Sequence, residues 1–465
     1  MSAAIYPQRF EGKYRKIKDV IASVLLFIYM VGAWIPYNRG YGLPDQALLI
    51  DLPQRKAYIF GIIIWPDELY YLTFLMILGA VGLFICTTLF GRLWCGYTCP
   101  HTTMVDVFMM VERLFQGDRN ARIKLDSDPM NSEKFMKKSL THFVWLILSF
   151  LFGFGWVGYF YDVKILTKDL MHFSVTSNGA IWLLALTGTT YMFGGFLREK
   201  VCMHMCPYGR FQSGLVDSDT ILVTYHEWRG EPRGKGENHG DCIDCNRCVI
   251  ACPMGIDIRN GLQMPCIGCG LCVDACDEVM TKLDRPKGLI EYTSANAAKL
   301  LETNWKISKT NSKGLVLRPK VLFYCSVFLV ASCVLFSTLI FKTPVIFKVD
   351  KEHSPLFTIT PDRSIRNTYS IYVLNKMPRP QNNLCLSVEG IGNGLMNVQS
   401  LNNNYVKKAC ISLKPGEVFE SQVFVLLPYS QGNKSLQEKY FDIDFVVSDG
   451  NKFHYTTESI FYVSK

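Results

Sequence analysis

Residues 241–277 read DCIDCNRCVIACPMGIDIRNGLQMPCIGCGLCVDACD and hold eight of the chain's 17 cysteines. The spacing is Cys242-x2-Cys245-x2-Cys248-x3-Cys252-Pro253, followed by Cys266-x2-Cys269-x2-Cys272-x3-Cys276. This is the bacterial ferredoxin pattern written twice, in which each repeat gives three thiolates to one iron–sulfur cluster and its fourth to the other. One [4Fe–4S] cluster is therefore expected on Cys242, Cys245, Cys248 and Cys276, and a second on Cys266, Cys269, Cys272 and Cys252. A structural zinc site takes only four ligands. Two triads, each with a further cysteine four residues on, are too many and too regular for one such site. The spacing also favours cluster loops over disulfides. Asp277 follows Cys276 where proline is usual, but proline there shapes a turn and ligates nothing, so both clusters are expected. The stretch predicts an α+β ferredoxin domain that carries electrons.

The chain around it is a membrane protein in composition. Of its 465 residues, 49% are hydrophobic, and the mean hydropathy is positive. The excess lies in blocks near spanning length, at 20–36, 69–90, 140–160, 179–197 and 320–341. The first block is not followed by a small-residue cleavage site, so it reads as an anchor helix and not as a signal peptide. Arg9, Lys13, Arg15, Lys16 and Lys18 precede it. The loop after the second block carries Arg92, Arg113, Arg119, Arg122, Lys124, Lys134, Lys137 and Lys138, whereas the loop after the third has only Lys164 and Lys168. The excess of basic residues sets these segments inside. Five spans then place the N-terminus and the ferredoxin insert in the reducing cytoplasm and the C-terminus outside. The expected organisation is a cytoplasmic segment at 1–19, a four-span membrane region at 20–197, a cytoplasmic region at 198–319 with its ferredoxin core at 235–290, a fifth helix at 320–341, and an outer domain at 342–465. The net charge of +9 is spread over inner loops and insert, with no aromatic-interleaved basic patch for nucleic acid.

Beyond about residue 343 the texture changes. Short alternating runs at 369–374, 417–426 and 441–447 are separated by turn residues, which predicts an antiparallel immunoglobulin-like sandwich. Its Cys385 and Cys410 are expected either as a disulfide or as two buried thiols.

A second cysteine constellation sits where the second and fourth blocks end. Cys95-x3-Cys99-Pro100 and Cys202-x3-Cys206-Pro207 are both C-x3-C-P. On a helix, positions i and i+4 share a face, and proline halts one helix or begins the next. The repetition suggests a parallel duplication that could bring Cys95, Cys99, Cys202 and Cys206 together beneath the ferredoxin insert. Soft thiolates suit Cu(I), zinc or iron–sulfur clusters. Met203, Met205, His101 and His204 are copper-compatible neighbours, yet they read first as membrane-boundary residues. Cys86, Cys325 and Cys333 lie inside spans without a partner motif and read as packing.

Trp94-Cys-Gly-Tyr-Thr-Cys-Pro100, Val111-Glu-Arg113 with Gly117-Asp-Arg-Asn120, and Met205-Cys-Pro207 resemble the FixG/RdxA/CcoG cytochrome oxidase accessory proteins. So do Arg229-Gly-Glu-Pro-Arg-Gly234, Gly255-Ile-Asp-Ile-Arg259, Gly261-Leu-Gln263, Cys276-Asp-Glu-Val-Met280 and Pro286-Lys-Gly-Leu-Ile290. Asp277 is typical of that family. Departures are His101 where glutamine is usual, Tyr208-Gly209 for Trp-Pro, and Pro265 for an acidic residue. The resemblance implies a multi-pass protein of the bacterial inner membrane with a periplasmic immunoglobulin-like tail. It implies a cupric reductase, passing electrons from a cytoplasmic donor to Cu(II) for assembly of cbb3-type cytochrome c oxidase. The partners implied are oxidase subunits or copper-delivery proteins, alongside membrane lipid. Whether the chain forms a homo-oligomer is left open. Two alternatives stay open: a quinol-linked subunit passing electrons to a periplasmic acceptor, and a redox-inert assembly scaffold.

Overall fold

The computed structural model describes residues 5–40, 42–236, 238–303, 317–377, 380–391, 394–401, 404–428, 439–449 and 454–463. Residues 304–316, part of the expected cytoplasmic region, lie outside the described residues. The chain forms two compact units, one of Met1–Pro36 with Gln46–Ser337 and one of Tyr37–Asp45 with Thr338–Lys465.

In the first unit, helices at Pro66–Phe90, Ser132–Val157 and Ser177–Met205 are long and apolar enough to cross a membrane, as is Pro319–Ile340 at its boundary. At 1.5 Å per residue the shortest, of 22 residues, is about 33 Å long, against a hydrocarbon core of about 30 Å. Leu75, Met76, Phe143, Leu146, Trp182, Leu184, Phe323 and Leu329 on these helices are exposed, a surface that lipid satisfies and water does not.

The first apolar block differs from the other four. Its helix is Lys13–Gly32, so Lys13, Arg15, Lys16 and Lys18 of the expected cytoplasmic segment form its first two turns. The uncharged part from Val20 to Gly32 is about 20 Å long at the helical rise, too short to cross alone. Its contacts still run from one end of the bundle to the other. Near its start, Arg15 N–H donates to Asp274 of the ferredoxin domain at 2.7 Å. Near its end, Tyr29 packs on Phe152 and Tyr159. It travels alongside the spans because its charged turns are matched at the ferredoxin end.

The fourth block, interrupted by glycines, is continuous. Ser177–Tyr191 is α-helical and passes into π-helical turns at Met192–Leu197 and Val201–Met205. A Cβ at Gly194 would lie 3.1 Å from the Phe108 ring, and one at Gly195 would lie 3.0 Å from Trp145. The glycines are where neighbouring helices come close. A three-stranded sheet, β1 (Leu48–Asp51), β2 (Lys56–Ile59) and β3 (Ile62–Ile64), follows the first helix; no sequence signal had suggested it. Strands β4 (Leu222–Tyr225) and β5 (Ile290–Thr293) pair antiparallel around the ferredoxin segment.

The second unit is a two-sheet antiparallel sandwich. Its strands are β6 (Val345–Lys351), β7 (Thr358–Ile359), β8 (Ile365–Asn375), β9 (Gln381–Glu389), β10 (Leu395–Val398), β11 (Lys408–Leu413), β12 (Val418–Leu427), β13 (Tyr440–Ser448) and β14 (His454–Tyr462). One sheet runs β10-β12-β8-β6 with β7 on β8, and the other runs β11-β9-β13-β14. The three expected runs fall in β8, β12 and β13. Burial alternates along β8 and β12, as a strand with one buried face requires. Tyr369, Val373, Leu384, Val423, Phe445 and Phe461 close the core. Cys385 and Cys410 face each other across β9 and β11 and are joined as a disulfide.

Candidate electron-transfer site

The two ferredoxin triads are built alike. Within each, the residues on either side of the second cysteine are left-handed: Asp244 (φ 52°) and Asn246 (φ 57°) in one loop, Gly268 (φ 63°) and Gly270 (φ 70°) in the other. Gly, Asn and Asp are the residues that tolerate this conformation. Asn246 and Gly270 then start the helices Arg247–Ala251 and Leu271–Lys282, which carry the third cysteine of each triad. In the second repeat the helix also carries the fourth, Cys276.

Each fourth cysteine lies with the opposite triad: Cys276 beside Cys242 and Cys248, and Cys252 beside Cys266 and Cys269. Cys242, Cys248 and Cys276 share one buried group with Val223, Tyr225 and Ile258; Cys245 is exposed at its edge. Cys252, Cys266, Cys269 and Cys272 line a small cavity, which Cys248, Val223 and Ile258 of the first group also line. The chemistry of these donors fits iron. Burial pushes the Cys248 and Cys266 thiols up to about 11 and Cys252 to about 12, and Cys272 well above its ordinary value. Thiols so placed ionise only against a cation, which a cluster's iron supplies. Backbone N–H groups of Met254 and Ile256 also meet the Cys252 sulfur, and that of Gly268 meets Cys266. Asp277, in the usual place of proline, accepts from Gly288 N–H at 3.1 Å and closes the turn after the helix.

The twin C-x3-C-P motifs share one backbone design, and it is not an unbroken helical pair. Cys95 lies in the short helix Leu93–Tyr97, and Cys99 leaves it to cap the helix Pro100–Gln116. Cys202 lies in the π-helical turn, and Cys206 caps the helix Pro207–Leu215. Cys99 N–H donates to Trp94 O at 2.9 Å, and Cys206 N–H to Val201 O at 2.8 Å. In each case the acceptor is the residue before the first cysteine. Both second cysteines are extended, with ψ 123° and 113°. The cause is the following proline, which clashes with a helical residue before it. The proline ends one helix and begins the next.

Both motifs reach the ferredoxin domain. Cys95, Cys202 and Met203 pack on the buried group of Met254, Ile256, Ile267, Cys269 and Leu271, together with Cys252 and Cys266. The tightest point is Gly96, where a Cβ would lie 2.8 Å from Ile267 O and 3.0 Å from Cys269 Cα. Beside it, Tyr97 Oη donates to Cys269 O at 3.0 Å. Tyr292 Oη donates to Gly268 O at 2.8 Å, and the two phenols meet at 3.2 Å. Burial pushes the Cys95 thiol up to about 11, opposed by Gln212 and Arg92 and reinforced by Cys99 and Cys206. Gln212 Nε2 lies 3.2 Å from Cys95 Sγ, and Arg92 donates to Gly209 O at 2.5 Å, tying one motif to the other.

Other candidates fall outside this group. His204 and Met205 are exposed. His101 Nε2 pairs with Arg198 O at 2.9 Å. Cys86 and Cys325 are half-buried and Cys333 is exposed; Cys86 meets the backbone of Trp94 beside the first motif. Among the described residues no three His, Cys, Asp or Glu side chains converge on a single-ion position. Cys95 and Cys202 each lie within electrostatic reach of both Cys99 and Cys206.

Sequence reasoning missed how the first helix is held. Asp274 accepts from Tyr14 N–H at 3.2 Å and from Arg15 N–H at 2.7 Å, capping the Lys13–Gly32 helix from another domain. A Cβ on Gly12 would lie 2.2 Å from Asp274 Cγ, so glycine is needed there. Lys18 pairs with Asp106 at 2.8 Å, both buried. Glu112 binds both Arg122 and Arg198. The polar leader is legible as charge, but its partners lie far away in sequence.

Comparison with known proteins agrees with this geometry. A family described as "4Fe-4S dicluster domain" matches residues 197–239 and 232–295. One described as "4Fe-4S binding domain" matches 72–119, and "IG-like fold at C-terminal of FixG" matches 335–464. The nitrogen fixation protein FixG of Rhizobium meliloti (strain 1021) is 38% identical over 461 residues, covering 91% of this chain and 86% of that protein. The chain belongs to the FixG/RdxA family. Protein RdxA of Cereibacter sphaeroides is 42% identical over 390 residues, covering 83% of this chain and 82% of that protein. Protein RdxB of the same organism is 41% identical over 402 residues, covering 83% and 84%. This FixG/RdxA chain is a membrane iron–sulfur protein of electron transport. Each of its C-x3-C-P motifs falls within a matched 4Fe-4S region.

Proposed function

We propose that this chain is a membrane electron relay that reduces Cu(II) to Cu(I) for assembly of cbb3-type cytochrome c oxidase. The observation that carries the reading is the packing of Cys95 and Cys202 against the buried group holding Cys252, Cys266 and Cys269. When bound, the two [4Fe–4S] clusters supply single-electron transfer at this face. The ferredoxin end faces the reducing cytoplasm, where a soluble donor reaches it. The sandwich, whose disulfide suits an oxidising compartment, faces the periplasm and meets oxidase subunits or copper-delivery proteins.

The chain's own residues give the quartet its properties. Gly96 lets the first motif sit directly on the Cys266–Cys269 loop. Tyr97 and Tyr292 hold that loop by its carbonyls. Gln212 and Arg92 favour the thiolate of Cys95, while burial excludes water. Copper is the substrate. It recruits thiolates from Cys95, Cys99, Cys202 and Cys206 on arrival, and these soft ligands favour Cu(I) over Cu(II).

The test uses anaerobically purified protein, reduced and then given Cu(II) with a Cu(I)-specific chelator. Cu(I) should form with the wild type and fall sharply with Cys95→Ala and Cys202→Ala, while the visible iron–sulfur absorbance persists. Equal Cu(I) formation by the variants would remove the quartet from the reaction. No Cu(I) from any protein would leave a scaffold.

A further inference from the structure

A cavity of about 590 Å³ opens among the helices Lys13–Gly32, Pro100–Gln116, Ser132–Val157 and Ser177–Tyr191, and it reaches the first C-x3-C-P motif. Its walls include Tyr29, Met104, Trp156 and Phe193; its inner end includes Thr98 and His101. Thr98 and Pro100, the residues on either side of Cys99, both line it. The volume is that of a small-molecule site, mostly apolar with a few convergent polar groups.

We propose that this cavity binds the ring of a lipid-soluble quinol, which enters from the bilayer and meets the relay beside Cys99. Three features select this occupant. Phe152, Trp156, Leu186, Thr190 and Phe193 of its walls lie on two membrane-spanning helices, so a ligand arrives from lipid. Aromatic side chains suit a flat ring. The inner end is polar, which an acyl chain does not need and a quinol hydroxyl does. His101 Nε2 is paired with Arg198 O at 2.9 Å. Since a carbonyl only accepts, Nε2 carries the hydrogen and Nδ1 keeps a lone pair, an acceptor for a quinol O–H. This gives a role to a residue that departs from the family pattern. On its other side His101 borders a small void of about 30 Å³ whose lining mixes apolar residues such as Met109 and Met254 with the charged Lys18, Asp106, Arg198 and Glu199.

The chemistry balances with the substrate already proposed, and it rests on that reading for its electron acceptor. One quinol loses both hydroxyl protons and two electrons to become quinone. Two Cu(II) take one electron each to become two Cu(I), and the two protons, taken up in turn at His101 Nδ1, pass to water.

Binding is tested apart from turnover, on the full chain in detergent micelles. A benzoquinone with a decyl tail should quench the fluorescence of Trp156 saturably, and Trp156→Phe should remove that component. His101→Ala should weaken binding about fivefold, the worth of one net hydrogen bond. Thr190→Phe, which fills the cavity, should abolish it. Retained visible iron–sulfur absorbance shows that each variant is folded. Unsaturable quenching, equal affinity in all variants, or displacement by added phospholipid would overturn the site. In a second arm, decyl-quinol with Cu(II) should give two Cu(I) per quinone formed. No saturable quinone binding by the wild type, with Cu(I) still formed from a soluble donor, overturns the cavity alone. Saturable binding with no Cu(I) from any donor supports the cavity and overturns the copper reading.

Discussion

Replacing Gly96 by alanine puts a methyl group 2.8 Å from Ile267 O, 3.0 Å from Cys269 Cα and 3.1 Å from Cys269 N. All three are backbone atoms of the loop that carries two cluster cysteines, so no side chain can swing aside. To reach ordinary contact near 3.4 Å the loop must retreat by about 0.6 Å, which stretches the 3.0 Å bond from Tyr97 Oη to Cys269 O. Overpacking of this kind costs about 1–3 kcal/mol. Applied to the local opening of the motif from the ferredoxin domain, that is about a fivefold to 150-fold larger open fraction. Native-state hydrogen exchange reads this fraction directly when reclosing is fast. Exchange in segments 93–99 and 266–271 should accelerate by that factor, while the sandwich strands stay unchanged. Cu(I) formation should fall with the iron–sulfur absorbance intact. If both segments exchange at wild-type rates in Gly96→Ala, the motif is not held against the cluster loop, and the proposed path loses its footing.

Iron analysis should give about eight irons per chain. Cys276→Ser and Cys252→Ser should each remove about four, from opposite clusters, and Cys95→Ala should remove none. Loss of four irons in Cys95→Ala would mean that the motif quartet itself holds a cluster. Asp274→Ala strips two backbone N–H groups of a charged acceptor, worth about 3 kcal/mol or more together. The melting of visible absorbance should move down accordingly, and by less in Asp274→Asn. Breaking the disulfide between Cys385 and Cys410, 25 residues apart, should cost the sandwich about 3.5 kcal/mol by loop-closure entropy, read as a lower melting point of its β signal. Burial lowers Lys351 to about 8. Between there and the unfolded value near 10.5 the unfolded chain binds more protons, so raising the pH favours the fold. Sandwich stability should rise from pH 8 towards 10, and Lys351→Met should flatten the rise.

The ferredoxin loops were legible because their chemistry is local. Ligands two and three residues apart, with Asn, Asp or Gly at the left-handed positions, fix each loop with little help from the rest of the chain. The four apolar helices were legible because a bilayer imposes a minimum length and tolerates few charges. The sandwich was legible from alternation in β8, β12 and β13. The first helix was read less well: Lys13 to Asp19 look like a solvated leader until their partners Asp106 and Asp274 are in place. The β1–β3 sheet was missed because its strands are three or four residues long and lie in a turn-rich loop.

At the candidate site, sequence alone determined which cysteines exist, how they group into triads and twin motifs, and that a proline marks a helix boundary at the end of each motif. Only the tertiary structure decided that Cys95 and Cys202 pack with Cys252, Cys266 and Cys269. It also decided that Tyr97 grips Cys269 from 172 residues away, that Asp274 caps a distant helix, and that a cavity ends beside Cys99. The physical reason is that ligand spacing and backbone conformation are set by neighbours along the chain. Contacts across such separations depend on which helices pack together, and no local pattern carries that information.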